Sequence, residues 1–106
     1  MDNKQKPVLT ELLSTSRQLA ETASAGDWEA VATLRVRHEE LVRTFFSHIN
    51  GAPLSAHVMS ELAQVRVYTD MVLELAKRRR ASLVEAGQVL QSRQRATTAY
   101  AETASP

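Results

Sequence analysis

Apolar residues recur at helical spacing through three stretches of this chain. The longest stretch runs from Ser55 to about Arg95 and contains no proline and a single glycine, Gly87. Its apolar positions lie three, four or seven residues apart, which is the pattern of a long helix with a heptad-like stripe. These positions are Val58, Leu62, Val65, Val72, Ala76, Leu83 and Leu90. The pattern predicts a long third helix against which the rest of the chain packs.

Two shorter helices are predicted before it. The first begins near Pro7, whose missing N–H is tolerated in a first helical turn, and follows a polar stretch, residues 1–6, that is expected to fray. Gly26 is expected to end this helix in a left-handed conformation, and Asp27 to cap the next helix, residues 28–48. Because the corner between the two helices is so short, we expect them to pack antiparallel.

The turn into the third helix is predicted at residues 50–53, where Asn50–Gly51 ends the second helix, and Ser55 is expected to cap the third. At a rise of about 1.5 Å per residue, the first two helices are roughly 27–32 Å long and the third about 60 Å. The third helix should therefore extend past the Gly26 corner beyond about Ala76.

The extending part of the third helix carries leucines that need cover, notably Leu83 and Leu90. Three kinds of cover are open from the sequence. The chain could break near Gly87 and fold back a short fourth helix, two copies could pair, or a partner's helix could dock there. Residues 88–106 are accordingly interpreted as a C-terminal extension with a regulatory role as one alternative.

Composition agrees with a single all-α domain over residues 1–106. The chain is 43% hydrophobic but only 5% aromatic, and its three glycines are too few for a turn-rich strand architecture. It has no cysteine, so disulfides and thiolate metal sites are excluded. The N-terminus lacks the apolar core of a secretory signal and no apolar run is long enough for a membrane span, so we expect a cytoplasmic protein.

No set of residues in the sequence points to catalysis or to a cofactor. The three histidines, His38, His48 and His57, do not have the spacing of a metal site. His38 lies alone on the core stripe of the second helix, where it is placed to hydrogen-bond Ser16. No phosphate-binding loop or nucleophile–base pair is present. We therefore expect a protein that is not an enzyme.

Charge is distributed unevenly along the chain. Residues 1–76 hold seven Lys or Arg and ten Asp or Glu, whereas residues 77–106 hold six and two. The most basic run is Lys77, Arg78, Arg79 and Arg80. This run could form ion pairs with the Asp27–Glu29 corner, contact an acidic partner or bind nucleic acid. The low aromatic content disfavours nucleic acid, since few side chains could stack on bases.

The third helix is apolar over a wider arc than a core stripe requires. Val67, Tyr68, Met71 and Leu75 lie on one flank of that stripe and form what we call the apolar ridge. Either the first helix or the C-terminal segment covers this ridge, or the ridge borders a groove that accepts an amphipathic helix of a partner. Covering by the C-terminal segment and binding of a partner are compatible if that segment covers the groove only when no partner is bound.

Several segments of this sequence resemble the FliT family of flagellar type III export chaperones. The first is ASAGDWEAVATLRVRHEELV, residues 23–42, the second is LAKRRRASLVEAG, residues 75–87, and the third is Thr98–Ala99–Tyr100. The similarity covers about residues 8–100. It implies a cytoplasmic helical-bundle chaperone that binds the C-terminal amphipathic segment of the filament-cap protein before export.

The resemblance also implies a binding groove between the second and third helices. Its predicted partner-binding residues are Val42, Phe46, Leu62, Val65, Tyr68, Val72 and Leu75, with Arg79 at the edge. Some family members also contact the export ATPase complex, and some bind the flagellar master transcription regulator. The C-terminal segment is not expected to cover this groove strongly, because few residues follow Gln94 and a fourth helix would be short. The alternatives are a small nucleic-acid-binding regulator using the basic run and a structural coiled-coil homodimer.

Overall fold

The computed structural model describes residues 5–49, 51 and 53–104 of this chain. Within them it has three helices, α1 (Gln5–Ser24), α2 (Trp28–Ser47) and α3 (Ala56–Ala104), and no strand. The predicted all-α class and three-helix arrangement are confirmed. Helix α1 begins two residues before Pro7. Fraying was expected of residues 1–6, but residues 5 and 6 belong to α1. Residues 1–4 and the turn residues Asn50 and Ala52 lie outside the described residues.

The corner between α1 and α2 is closed by hydrogen bonds from Gly26 and Asp27. Gly26 has a φ of 77°, its N–H donates to Ala23 at 3.0 Å, and the N–H of Asp27 donates to the Thr22 carbonyl at 3.0 Å. These bonds form a Schellman C-cap, which satisfies carbonyls that the end of a helix would leave unpaired. The carboxylate of Asp27 then accepts the N–H of Ala30 at 3.2 Å and caps α2.

Substituting Gly26 and Gly87 by alanine should have opposite effects, although a Cβ would meet no atom within 4 Å at either position. Gly26→Ala should destabilise the protein by about 1 kcal/mol, because a left-handed conformation is costly for residues with a Cβ. Gly87 lies inside α3, so Gly87→Ala should raise helix content, since alanine is favoured by about 1 kcal/mol in helix interiors. Circular dichroism with urea unfolding measures both, and a stabilising Gly26→Ala would contradict the role of the corner.

Two apolar clusters hold the first of the two compact units into which the chain divides, Met1–Leu75. The first cluster joins the start of α1 to the end of α2 and the start of α3, through Leu9, Leu12, Leu41, Phe45, Val58 and Val65. The second joins the end of α1 to the start of α2, through Leu19, Ala23 and Val31. The segment of α3 up to Leu75 is therefore anchored on both other helices, as the apolar stripe predicted.

The second unit, Ala76–Pro106, holds the remainder of α3. Of the three alternatives for the leucines, a break near Gly87 with a fold-back helix is wrong, because the helix continues through Gly87 to Ala104. Gly87 does not adopt a positive φ. One glycine costs about 1 kcal/mol in a helix interior, and its neighbours are mostly Ala, Leu, Val, Glu and Gln, several of them strong helix formers. All side chains of residues 77–103 are exposed.

Candidate functional site

An ion pair between α1 and α2 shows which edge of α2 faces α1. The Arg37 guanidinium donates to Glu11 of α1, with the Nε–Oε1 distance at 3.1 Å, and to Glu40 at 3.3 Å. The hydrogen bond and charge of Glu11 raise the pKa of Arg37. At about 100° per residue, Phe46 lies on the opposite side of α2 from Arg37. The flank of α2 that carries Phe46 is therefore directed away from α1.

Four of the predicted partner-binding residues lie at the edges of the two apolar clusters. Val42 and Leu62 pack, half-buried, around the first apolar cluster, and Val72 and Leu75 pack around the second. α2 and α3 thus share both clusters.

Two residues of the predicted set have a different position from the one expected of a groove lining. Val65 is only 8% exposed and belongs to the first cluster, so it lies in the core beneath the surface. Arg79 is exposed and lies in the second unit, so it is described with that unit.

Three apolar side chains of the predicted site and the apolar ridge are exposed, Phe46, Met71 and Val67. Phe46 is 56% exposed and its ring meets that of Phe45 edge to face, with centroids 5.4 Å apart. Met71 is 44% exposed and Val67 59%. Tyr68, between them on the apolar ridge, is half-buried. Sequence reasoning placed Met71 and Val67 on the ridge but left them out of the site, because their angular position shows only that they lie outside the core stripe.

His38 belongs to the scaffold beneath this surface. Ser16 is fully buried and donates its hydroxyl hydrogen to the Leu12 carbonyl at 2.8 Å. Its oxygen therefore accepts from Nε2 of His38, 3.0 Å away, so Nε2 carries a hydrogen. The predicted Ser16–His38 hydrogen bond is confirmed. Burial lowers the pKa of His38, against an opposite and smaller influence of the Glu39 charge.

This arrangement predicts that acid weakens the fold through His38. The folded state lowers the pKa of His38 and so favours its neutral form. Above the pKa of the unfolded chain, about 6.5, His38 is neutral in both states and does not reduce stability. As pH falls through 6.5 towards the lower folded pKa, folding must exclude a proton and stability decreases. His38→Gln keeps a donor for Ser16 without titrating. Between pH 8 and pH 5, urea unfolding should show a larger decrease in the free energy of unfolding for the parent chain than for His38→Gln. Equal decreases would contradict the assignment of this pH dependence to His38.

The other histidines do not extend the site. Nε2 of His57 lies 3.0 Å from Oε1 of Glu61, and Nδ1 of His48 lies 2.7 Å from the Thr44 carbonyl oxygen. In the part of the chain that the structure describes, no three His, Cys, Asp or Glu residues are grouped so that they could hold a metal ion. None of the helices in that part combines the length and apolar character that crossing a membrane requires.

A family model described as "Flagellar protein FliT" matches residues 7–102, nearly the whole chain. No curated protein and no solved structure matches.

Proposed function

Because this chain belongs to the FliT family of flagellar export chaperones, we propose that it binds the C-terminal amphipathic segment of the flagellar filament-cap protein in the groove between α2 and α3. Binding in the cytoplasm keeps that segment from assembling or aggregating until the subunit is exported. The observation that carries the proposal is a set of exposed apolar side chains on a well-packed scaffold, Phe46 on α2 and Val67 and Met71 on α3.

The chemistry of this surface suits an amphipathic helix. Such a helix binds by laying apolar residues, spaced three and four apart, into a groove between helices. The apolar ridge has the same spacing, since Val67, Met71 and Leu75 follow one another at intervals of four. Methionine adapts its shape to different apolar partners, and a surface phenylalanine supplies a rigid anchor. The two together support capture of a segment by its apolar face.

The proposal is limited to the cap protein as client. The export ATPase complex and the flagellar master transcription regulator are further partners suggested by the family resemblance alone, and no described surface of this chain selects one of them. No catalytic step is part of the proposal.

Co-purification tests the choice of client. The tagged chain is expressed together with the cap protein, or with the hook or filament subunits of the same flagellum as controls. We expect the cap protein to be retained, and to be lost when its C-terminal segment is deleted. Equal retention of all subunits would show non-specific apolar adhesion and contradict the proposal.

A further inference from the structure

The second unit carries a surface that the proposed function does not use. Leu83 and Leu90 are 58% and 64% exposed and lie seven residues apart, on one line along the helix with Ala76 and Thr97. A parallel line beside it holds Arg79, Ala86, Arg93 and Tyr100, also at intervals of seven. These two lines, residues 76–100, are called the leucine–arginine stripe below. A spacing of seven with two adjoining lines is the pattern that meets another helix in a coiled-coil-like seam.

The stripe does not form the continuous apolar face that a lipid surface requires, because Arg79 and Arg93 lie within it. Of the other exposed large aliphatic residues of this unit, Val84 points about 100° away from the leucine line, and Val89 lies beyond the arginine line. Helices that bind in the plane of a membrane present a broad apolar face. A line of single leucines instead matches the ridge of one partner helix.

Charge decides which helix the stripe accepts. Residues 77–106 hold six Lys or Arg and two Asp or Glu, and Arg79 and Arg93 lie on the stripe itself. Pairing with a second copy would bring two strongly basic segments together, which like-charge repulsion disfavours. A helix with carboxylates beside its apolar residues would accept charge-assisted hydrogen bonds from the guanidinium groups.

We propose that the leucine–arginine stripe binds an acidic amphipathic helix of a partner protein. Leu83 and Leu90 take its apolar residues, and Arg93 takes its carboxylates. This second binding surface goes beyond the proposed function, because it lies in the second unit and selects its ligand by charge.

Two synthetic amphipathic helices provide the test. They share a leucine seam with heptad spacing and differ only in the flanking residues, which are glutamate in one and lysine in the other. Fluorescence anisotropy with the full chain should show saturable binding of the glutamate peptide and none of the lysine peptide. The affinity should fall as salt is raised, since salt screens exposed charge pairs.

Variants of the chain locate the binding. Replacing both Leu83 and Leu90 with serine should weaken the glutamate peptide at least about tenfold, because anchors at the centre of an interface dominate its affinity. Arg93→Glu should weaken it as well. Val84→Ser is the matched control, equally exposed but off the stripe, and should bind as the parent chain does. Met71→Ser, in the first unit, should also leave this binding unchanged while it weakens capture of the cap-protein segment, which separates the two proposals.

Four results would overturn the inference. The first is equal binding of both peptides, and the second is binding that survives loss of both leucines. The third is a leucine-dependent mass of twice 11.8 kDa by light scattering, with the peptide excluded, which would assign the stripe to a second copy. The fourth is leucine-dependent binding to vesicles of anionic lipid without binding of the glutamate peptide, which would assign it to a membrane surface.

Discussion

Replacing Phe45 with alanine is expected to lower the free energy of unfolding by about 3–5 kcal/mol. Phe45 has no exposed surface and is the largest fully buried side chain among the described residues. It lies in the cluster that joins all three helices, so its removal leaves a cavity where α1, α2 and α3 meet. Domains of this size are typically stable by about 5–15 kcal/mol, so the variant should unfold at much lower urea concentration.

The neighbouring Phe46 provides the matched control. Phe46→Ala removes the same side chain from a position that is 56% exposed, and it gives up mainly the edge-to-face contact with Phe45. The expected cost is about 1 kcal/mol or less. Urea unfolding followed by circular dichroism at 222 nm measures both variants. Equal losses would contradict the assignment of Phe45 to the core and Phe46 to the surface.

The corner between α1 and α2, the cap of α3 and one core contact could be predicted from short sequence patterns. A glycine followed by an aspartate predicts a left-handed helix end and a new cap, and Gly26 and Asp27 have these conformations and bonds. The Ser55 cap is confirmed in the same way, since its hydroxyl accepts the N–H of Val58 at 3.2 Å. The contact between Ser16 and His38 was also predictable, because both residues fall on the apolar stripes of helices that a short corner brings together.

The course of α3 beyond Gly87 was not predictable in the same way. A lone glycine can end a helix or lie within one, and the difference of about 1 kcal/mol is smaller than the summed preference of its neighbours. The accessibility of the ridge could not be derived either. Hydrophobic spacing shows that Met71 and Val67 are off the core stripe, but only the packing of α1 and α2 determines which flank stays open.

Met71→Glu is expected to weaken binding of the cap-protein segment at least about 100-fold, which corresponds to roughly 2.7 kcal/mol. The side chain is 44% exposed, so the carboxylate stays hydrated in the free protein and the fold is preserved. On binding, the apolar face of the client would cover this carboxylate. A charge buried without a partner costs several kcal/mol, so the complex loses most of its stability.

Leu73→Glu is the matched control for charge. It introduces the same carboxylate two residues away on α3, at a position that is also exposed but faces about 160° away from Met71. Its affinity for the cap-protein segment should remain within about threefold of the parent value, because surface substitutions outside an interface have small effects. Circular dichroism should show both variants to be as helical as the parent chain. Equal weakening by both variants would indicate a general effect of negative charge and would argue against the ridge as the binding surface.

The central claim is that this chain captures the C-terminal segment of the filament-cap protein on the apolar surface of α2 and α3. Isothermal titration calorimetry of that segment into the full chain, with Met71→Glu and Leu73→Glu in parallel, measures it most directly. We predict saturable binding of one segment per chain, retained by Leu73→Glu and lost by Met71→Glu. Absence of binding to the parent chain, or undiminished binding to a folded Met71→Glu variant, would contradict the account.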